Sequence, residues 1–171
     1  MRMKEVIYKA IMIGCALFLA AKGYGNFLEL GIEGGYCLHY FDEKSYKNSD
    51  IGGFLGVNLP ILPVSIVGNA DLNWKTEKQS ITVVSLMSAL RYNLGVPLLP
   101  LKFYLGIGAG LDWSISEREY VHAVMGVSGV RIHIIGTSVN IFGNVRFKYL
   151  FPEKGSWYQL LVGVGVAYRL I

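Results

Sequence analysis

Between Phe103 and Trp113 the chain reads FYLGIGAGLDW, with Phe, Leu, Ile, Leu and Trp at alternate positions and mostly glycine between them. A period of two belongs to extended chain, because successive side chains of a strand point to opposite faces. One face is bulky and apolar, and the other is nearly bare. A soluble sheet would set mixed charge against water on one of them, and this segment has none to offer but Lys102 and Asp112 at its ends. The pattern predicts a strand whose bulky face meets lipid and whose bare face lines a narrow tube.

The same period runs from residue 26 onward and divides the chain into eight segments. The first spans Leu28 to Tyr40, with Leu28, Leu30, Ile32, Tyr36, Leu38 and Tyr40 on one face and Glu29, Glu33, Cys37 and His39 on the other. The polar stretch DEKSYKNSD precedes the second, Ile51 to Leu59. The turn PILP leads to Val64–Trp74, KTEKQS to Ile81–Tyr92, and NLGVPLLP to the Phe103–Trp113 strand. SISERE, IGTS and PEKGS then introduce Tyr120–Ile134, Val139–Phe151 and a last segment in which Tyr158, Leu160, Val162, Val164, Val166, Tyr168 and Leu170 are all apolar. Eight strands of nine or more residues on short links read as an up-and-down β meander.

A helical alternative arises at residues 51–70, a stretch without charge that is long enough to cross a bilayer. Pro60, Pro63 and four glycines break it, so it is strand, turn, strand. The meander also repeats weakly. PILPVSIVGNADLNW and PLLPLKFYLGIGAGLDW each run from a proline-bracketed turn into a strand that ends on an acid and a tryptophan.

Alternation alone does not say which face is outside, and the second face decides it. Gly52, Phe54 and Gly56, then Tyr104, Gly106, Gly108 and Gly110, then Leu161, Gly163, Gly165 and Ala167 suit the crowded inside of an eight-stranded tube, which has room only for side chains. Only 16% of the chain is charged, against about a quarter for a soluble domain. Aromatic residues collect at the strand ends. Tyr40, Trp74, Trp113, Tyr120, Tyr149, Phe151, Trp157 and Tyr158 fall at one rim, and Tyr92, Phe103 and Tyr168 at the other, as two interfacial girdles would. The links at the first rim are charged, and PILP, NLGVPLLP and IGTS at the second are not. The reading is an all-β fold, an eight-stranded antiparallel up-and-down transmembrane β-barrel, with both termini on the uncharged-turn side.

Residues 1–25 read as a secretory signal peptide. Arg2, Lys4 and Lys9 precede the apolar run Ala10–Ala21, and Ala21–Gly23 offers small residues for cleavage, after Gly23 or Gly25. Twelve apolar residues fall short of the ~20 that a spanning helix needs. MIGC before Ala16 faintly matches a lipoprotein box at Cys15, but the apolar run continues past the cysteine. Cleavage removes four of the 16 basic and one of the 12 acidic residues, leaving 12 against 11 in a barrel domain of residues 26–171. No basic patch invites nucleic acid. Cys37 is then the one cysteine, so no internal disulfide forms.

This pattern resembles the small outer-membrane β-barrels of Gram-negative-type bacteria, the OmpA/OmpX-like group, over the signal and residues 26–171. The chain departs from the group in ending AYRLI rather than on an aromatic, and in its short outer links. The resemblance implies a cell-envelope protein of the outer membrane, with lipid and the assembly machinery as partners and a monomeric state. It implies a structural or surface-interaction role around a side-chain-filled, non-conducting lumen. Alternatives are a lipid-modifying acyl hydrolase of the same architecture and a soluble, lipocalin-like periplasmic carrier of an apolar ligand.

The expected interior holds Glu29, Glu33, Asp71 and Asp112 with Lys75, Arg91, Lys102, Arg131, Arg146, Lys148 and Arg169. Charges in a low-dielectric tube must pair, so these read as a structural charge network. No catalytic, cofactor-binding or metal residue is expected. His39, His122 and His133 lack metal-ligand spacing. His122 lies near Ser114, Ser116, Glu117 and Glu119 without a His-x-Ser motif. GIGAG alternates within a strand and no lysine follows it, unlike a phosphate loop, and Cys37 reads as a small lumen filler.

Overall fold

A computed structural model describes residues 28–41, 44–59, 62–75, 80–95, 99–115, 118–152 and 157–170. Eight strands follow in chain order: β1 (Leu28–Phe41), β2 (Lys44–Asn58), β3 (Val64–Lys75), β4 (Ser80–Gly95), β5 (Leu101–Ser114), β6 (Glu119–His133), β7 (Val139–Phe151) and β8 (Trp157–Leu170). Each pairs antiparallel with the next, and β1 closes on β8 from Leu28↔Leu170 to Phe41↔Trp157. Closure leaves no free sheet edge. Strands of 12 to 16 residues exceed the ~9–11 that cross a bilayer obliquely.

The polarity is inverted relative to a water-soluble barrel. Ile107, Ile32 and Val164 are 74%, 71% and 68% exposed, and Leu105, Phe147 and Val162 also face outward. Arg146, Lys148, Asp71 and Arg131 are buried inside. A lipocalin-like carrier of an apolar ligand needs the reverse arrangement, with the greasy face around the cavity.

The glycines of β5 sit where the backbone of β4 leaves no room for a side chain. A Cβ at Gly108 or Gly110 would strike the carbonyl oxygens of Ser88 or Leu86 on β4, and one at Gly106 would meet Arg91 Cγ at 3.0 Å. Outward-facing Gly126, by contrast, has open space where its Cβ would be. The uncharged link between β6 and β7 is a tight turn. Gly136 takes a φ of +80°, a conformation that only glycine adopts without strain. Thr137 donates to the Ile134 carbonyl through both its N–H (3.1 Å) and its hydroxyl (2.8 Å).

The second strand corrects the sequence reading. Of DEKSYKNSD, residues 44–50 are strand and Asp42 and Glu43 lie outside the described residues: β1 continues to Phe41, and β2 begins at Lys44 and pairs back from Phe41↔Lys44 through Gly35↔Asp50. A polar run can prolong a β ladder beyond an apolar band, since backbone pairing does not depend on side-chain polarity. Within residues 51–70, β2 runs to Asn58 and β3 starts at Val64, and the Leu59 N–H donates to the Val64 carbonyl at 2.9 Å across the link. The signal segment, Pro60, Ile61, TEKQ (residues 76–79) and the side chain of Lys75 lie outside the described residues.

Candidate functional site: the charged lumen

Inward parity on four strands converges on Arg146. From β7 its guanidinium reaches Glu33 of β1 at 2.5 Å, Asp71 of β3 at 2.8 Å and Asp50 of β2 at 3.2 Å. Asn144, one inward position along β7, donates to Glu33 at 2.5 Å. The three carboxylates can each bring an oxygen within 4.8 Å of the others, an arrangement that could hold a cation. The cation among them is the guanidinium itself, whose planar fork suits several carboxylates at once.

The next inward residue of β7, Lys148, forms a second knot. Its ammonium lies 3.2 Å from Asp112 and donates to the Ser85 hydroxyl, which in turn donates to Asp112. Gln159 of β8 completes the shell of Asp112 at 3.1 Å. Against this polar wall stands an apolar one of Met87, Val121, Met125 and Leu150, with Trp157 packed on it.

Toward the uncharged turns the chemistry changes. Arg91 is 2% exposed, and among the described residues it has no carboxylate at ion-pair distance. Its Cζ stands 5.2 Å from the Phe54 ring and 5.1 Å from the Tyr104 ring, and one N–H reaches Asn69 Oδ1 at 3.2 Å. Such cation–π contacts strengthen when desolvated. Arg131 lies across the other side of Tyr104 at 5.6 Å and pairs with Glu29 at 2.7 Å. Asn140 donates to the second oxygen of Glu29 and touches His133, at 3.2 Å each.

The structure therefore brings Glu29, Glu33, Asp71, Arg91, Asp112, Arg131, Arg146 and Lys148 inside the barrel. Lys102 and Arg169 depart from the expected network. They stand at the mouth, exposed and half-buried, and among the described residues neither has a carboxylate at ion-pair distance. Both lie one or two residues from a strand end, where the tube opens to solvent. Sequence reasoning missed Asp50, assigned to a loop, and the neutral partners Asn69, which accepts from Arg91, and Asn144, Ser85 and Gln159, which donate to carboxylates. Carrying the inward parity of Gly52, Phe54 and Gly56 two steps back would have found Asp50 and Asn48.

Tyr40, Trp113, Tyr120, Tyr158, Tyr92, Phe103 and Tyr168 project outward, and Trp74 and Tyr149 are half-buried at the rim. Tyr149 contacts Tyr158 at 5.2 Å and Phe151 at 4.7 Å, and Trp113 stacks on Tyr120 at 5.9 Å. Trp157 corrects the girdle. It shares the parity of inward Gln159 and Leu161 and caps the apolar wall of the lumen instead of meeting lipid. Cys37 is buried and free. His122 points outward while Ser114 points inward, so these two do not share a face; Ser116 and Glu117 lie outside the described residues. His39 is half-buried on the inward face and His133 sits at the turn-side mouth.

A closed eight-stranded meander with this inside-out polarity defines the class of small outer-membrane-type β-barrels. Solved structures agree on the fold. The crystal structure of Neisserial surface protein A matches at a TM-score of 0.71 and 13% identity, over 84% of this chain and 97% of that one. The N-terminal barrel domain of Pseudomonas aeruginosa OprF matches at 0.51 and 17% identity, over 83% and 97%. No protein-family model matches the sequence, and no curated protein matches it.

Proposed function

We propose that this chain is a small bacterial outer-membrane β-barrel with a structural or surface-interaction role and a lumen that does not conduct. The observation that carries the reading is the inversion of polarity: Ile107 and Val164 bare on the outside, Arg146 and its three carboxylates buried on the inside. Apolar outer walls of this extent are stable against lipid and aggregate in water. The two knots around Arg146 and Lys148 cross the tube from several strands, which supports a blocked axis. Residues 1–25 act as the secretory signal, the barrel is monomeric, and its partners are outer-membrane lipid and, during insertion, the assembly machinery. It carries no enzymatic activity, binds no nucleic acid and needs no cofactor. The separation of His122 from Ser114 argues against an acyl hydrolase.

Two measurements test this. The mature chain should require detergent and migrate as a compact band on a cold gel that shifts on boiling; solubility without detergent refutes the membrane reading. In planar bilayers it should give no steady current, and porin-scale conductance refutes the blocked lumen.

A further inference from the structure

At the uncharged-turn end the lumen opens into a cavity of about 520 Å³. Its wall includes Lys102, Arg131, Arg169 and His133, together with Thr137 and Ser138 of the β6–β7 turn. The charge here is one-sided. Among the described residues three cationic side chains face one carboxylate, Glu29, and that carboxylate is held by Arg131 and Asn140. Lys102 stands within electrostatic reach of both Arg131 and Arg169. Buried Arg131 also keeps its Nε without a protein partner, as does Arg91 behind it. Among the described buried residues the loop-side half is the opposite: Glu33, Asp50, Asp71 and Asp112 outnumber Arg146 and Lys148. The barrel is thus charged along its axis, positive at the turn-side mouth.

Like charges gathered at a half-enclosed site repel unless an anion joins them. Guanidinium forks match the oxygens of phosphate in pairs, and lysine adds a point charge. The volume lies in the 300–1,000 Å³ range of small-molecule sites, which suits a phosphate with a modest organic portion and excludes a folded partner. We propose that the turn-side mouth binds a small phosphate-bearing anion, with Lys102, Arg169 and Arg131 as its cationic contacts. The inference concerns the mouth alone and does not depend on the role proposed for the barrel.

The test is calorimetric titration of the purified full barrel in zwitterionic detergent with inorganic pyrophosphate, at constant ionic strength set with sodium chloride. Saturable one-site binding is expected. The Lys102→Gln/Arg169→Gln double variant should weaken it at least tenfold, and Lys47→Gln, exposed toward the opposite rim, should leave it unchanged. Both variants are checked for the compact cold-gel band, so a lost fold is not read as a lost site. Absent saturation, or equal affinity in the double variant, overturns the proposal, as does equal binding of sulfate. Nanodiscs separate the two sources of phosphate. Binding retained in both phosphatidylcholine and phosphatidylglycerol discs assigns a free anion. Binding lost only in phosphatidylglycerol discs assigns a lipid headgroup to the same contacts.

Discussion

Arg146→Met offers the most demanding trial of the lumen. The substitution keeps most of the side-chain volume and removes the cation that, among the described residues, touches Glu33, Asp50 and Asp71 together. Removing one partner of a buried ion pair costs about 3–5 kcal/mol, because the remaining charge stays desolvated. Here three carboxylates lose their cation together. Glu33 keeps Asn144, but Asp50 and Asp71 each already have one oxygen without a protein partner, so the upper end, about 5 kcal/mol, applies. That is a large share of the roughly 5–15 kcal/mol that holds a domain folded. The assay is urea unfolding of the barrel refolded in detergent, followed by tryptophan fluorescence and by the heat-modifiable band. Adding Glu33→Gln, Asp50→Asn and Asp71→Asn to Arg146→Met neutralises the site and should recover more than half of the loss, since neutral amides cost far less to bury than charges. A single variant within about 1 kcal/mol of the wild type, a typical effect for any substitution, would refute the reasoning. So would a quadruple variant no better than the single.

Three further outcomes follow from the two faces. Ile107→Arg, on the outer wall near mid-strand, should cost about 2–4 kcal/mol in lipid vesicles, measured by the same unfolding, while Lys47→Arg should change nothing resolvable. Gly108→Val should prevent formation of the compact band because its Cβ would meet the Ser88 carbonyl, whereas Gly126→Val, with open space at that point, should fold as the wild type does; the gel distinguishes them directly. Trp157→Ala should lower unfolding stability by up to about 3 kcal/mol as a partly buried aromatic truncation and leave vesicle insertion rates unchanged, whereas an interfacial tryptophan would affect insertion first.

Strand parity was legible along almost the whole chain, because the alternation of side chains is a property of the extended backbone itself. Glu29, Glu33, Asp71 and Asp112 could be assigned to the interior without knowing any contact. The errors have a common origin in strand ends. Asp50 sits in a polar run that looks like a loop, yet its ladder with Gly35 continues. Trp157 was assigned by residue type, aromatic at a rim, where parity with Gln159 points it inward.

The sequence by itself determined the strand period, the chemistry of the two faces and hence which one must be outside. These are local matters, decided within a few residues by covalent geometry and the cost of wetting apolar surface. Partnership was decided only by closure of the barrel. Arg131 finds Glu29 at a separation of 102 residues and Arg146 finds Asp71 at 75. Which charges meet depends on the tilt and stagger with which eight strands close, a relation among all of them at once. That geometry left Arg91 between two rings rather than beside a carboxylate, and gathered Lys102, Arg131 and Arg169 around one mouth.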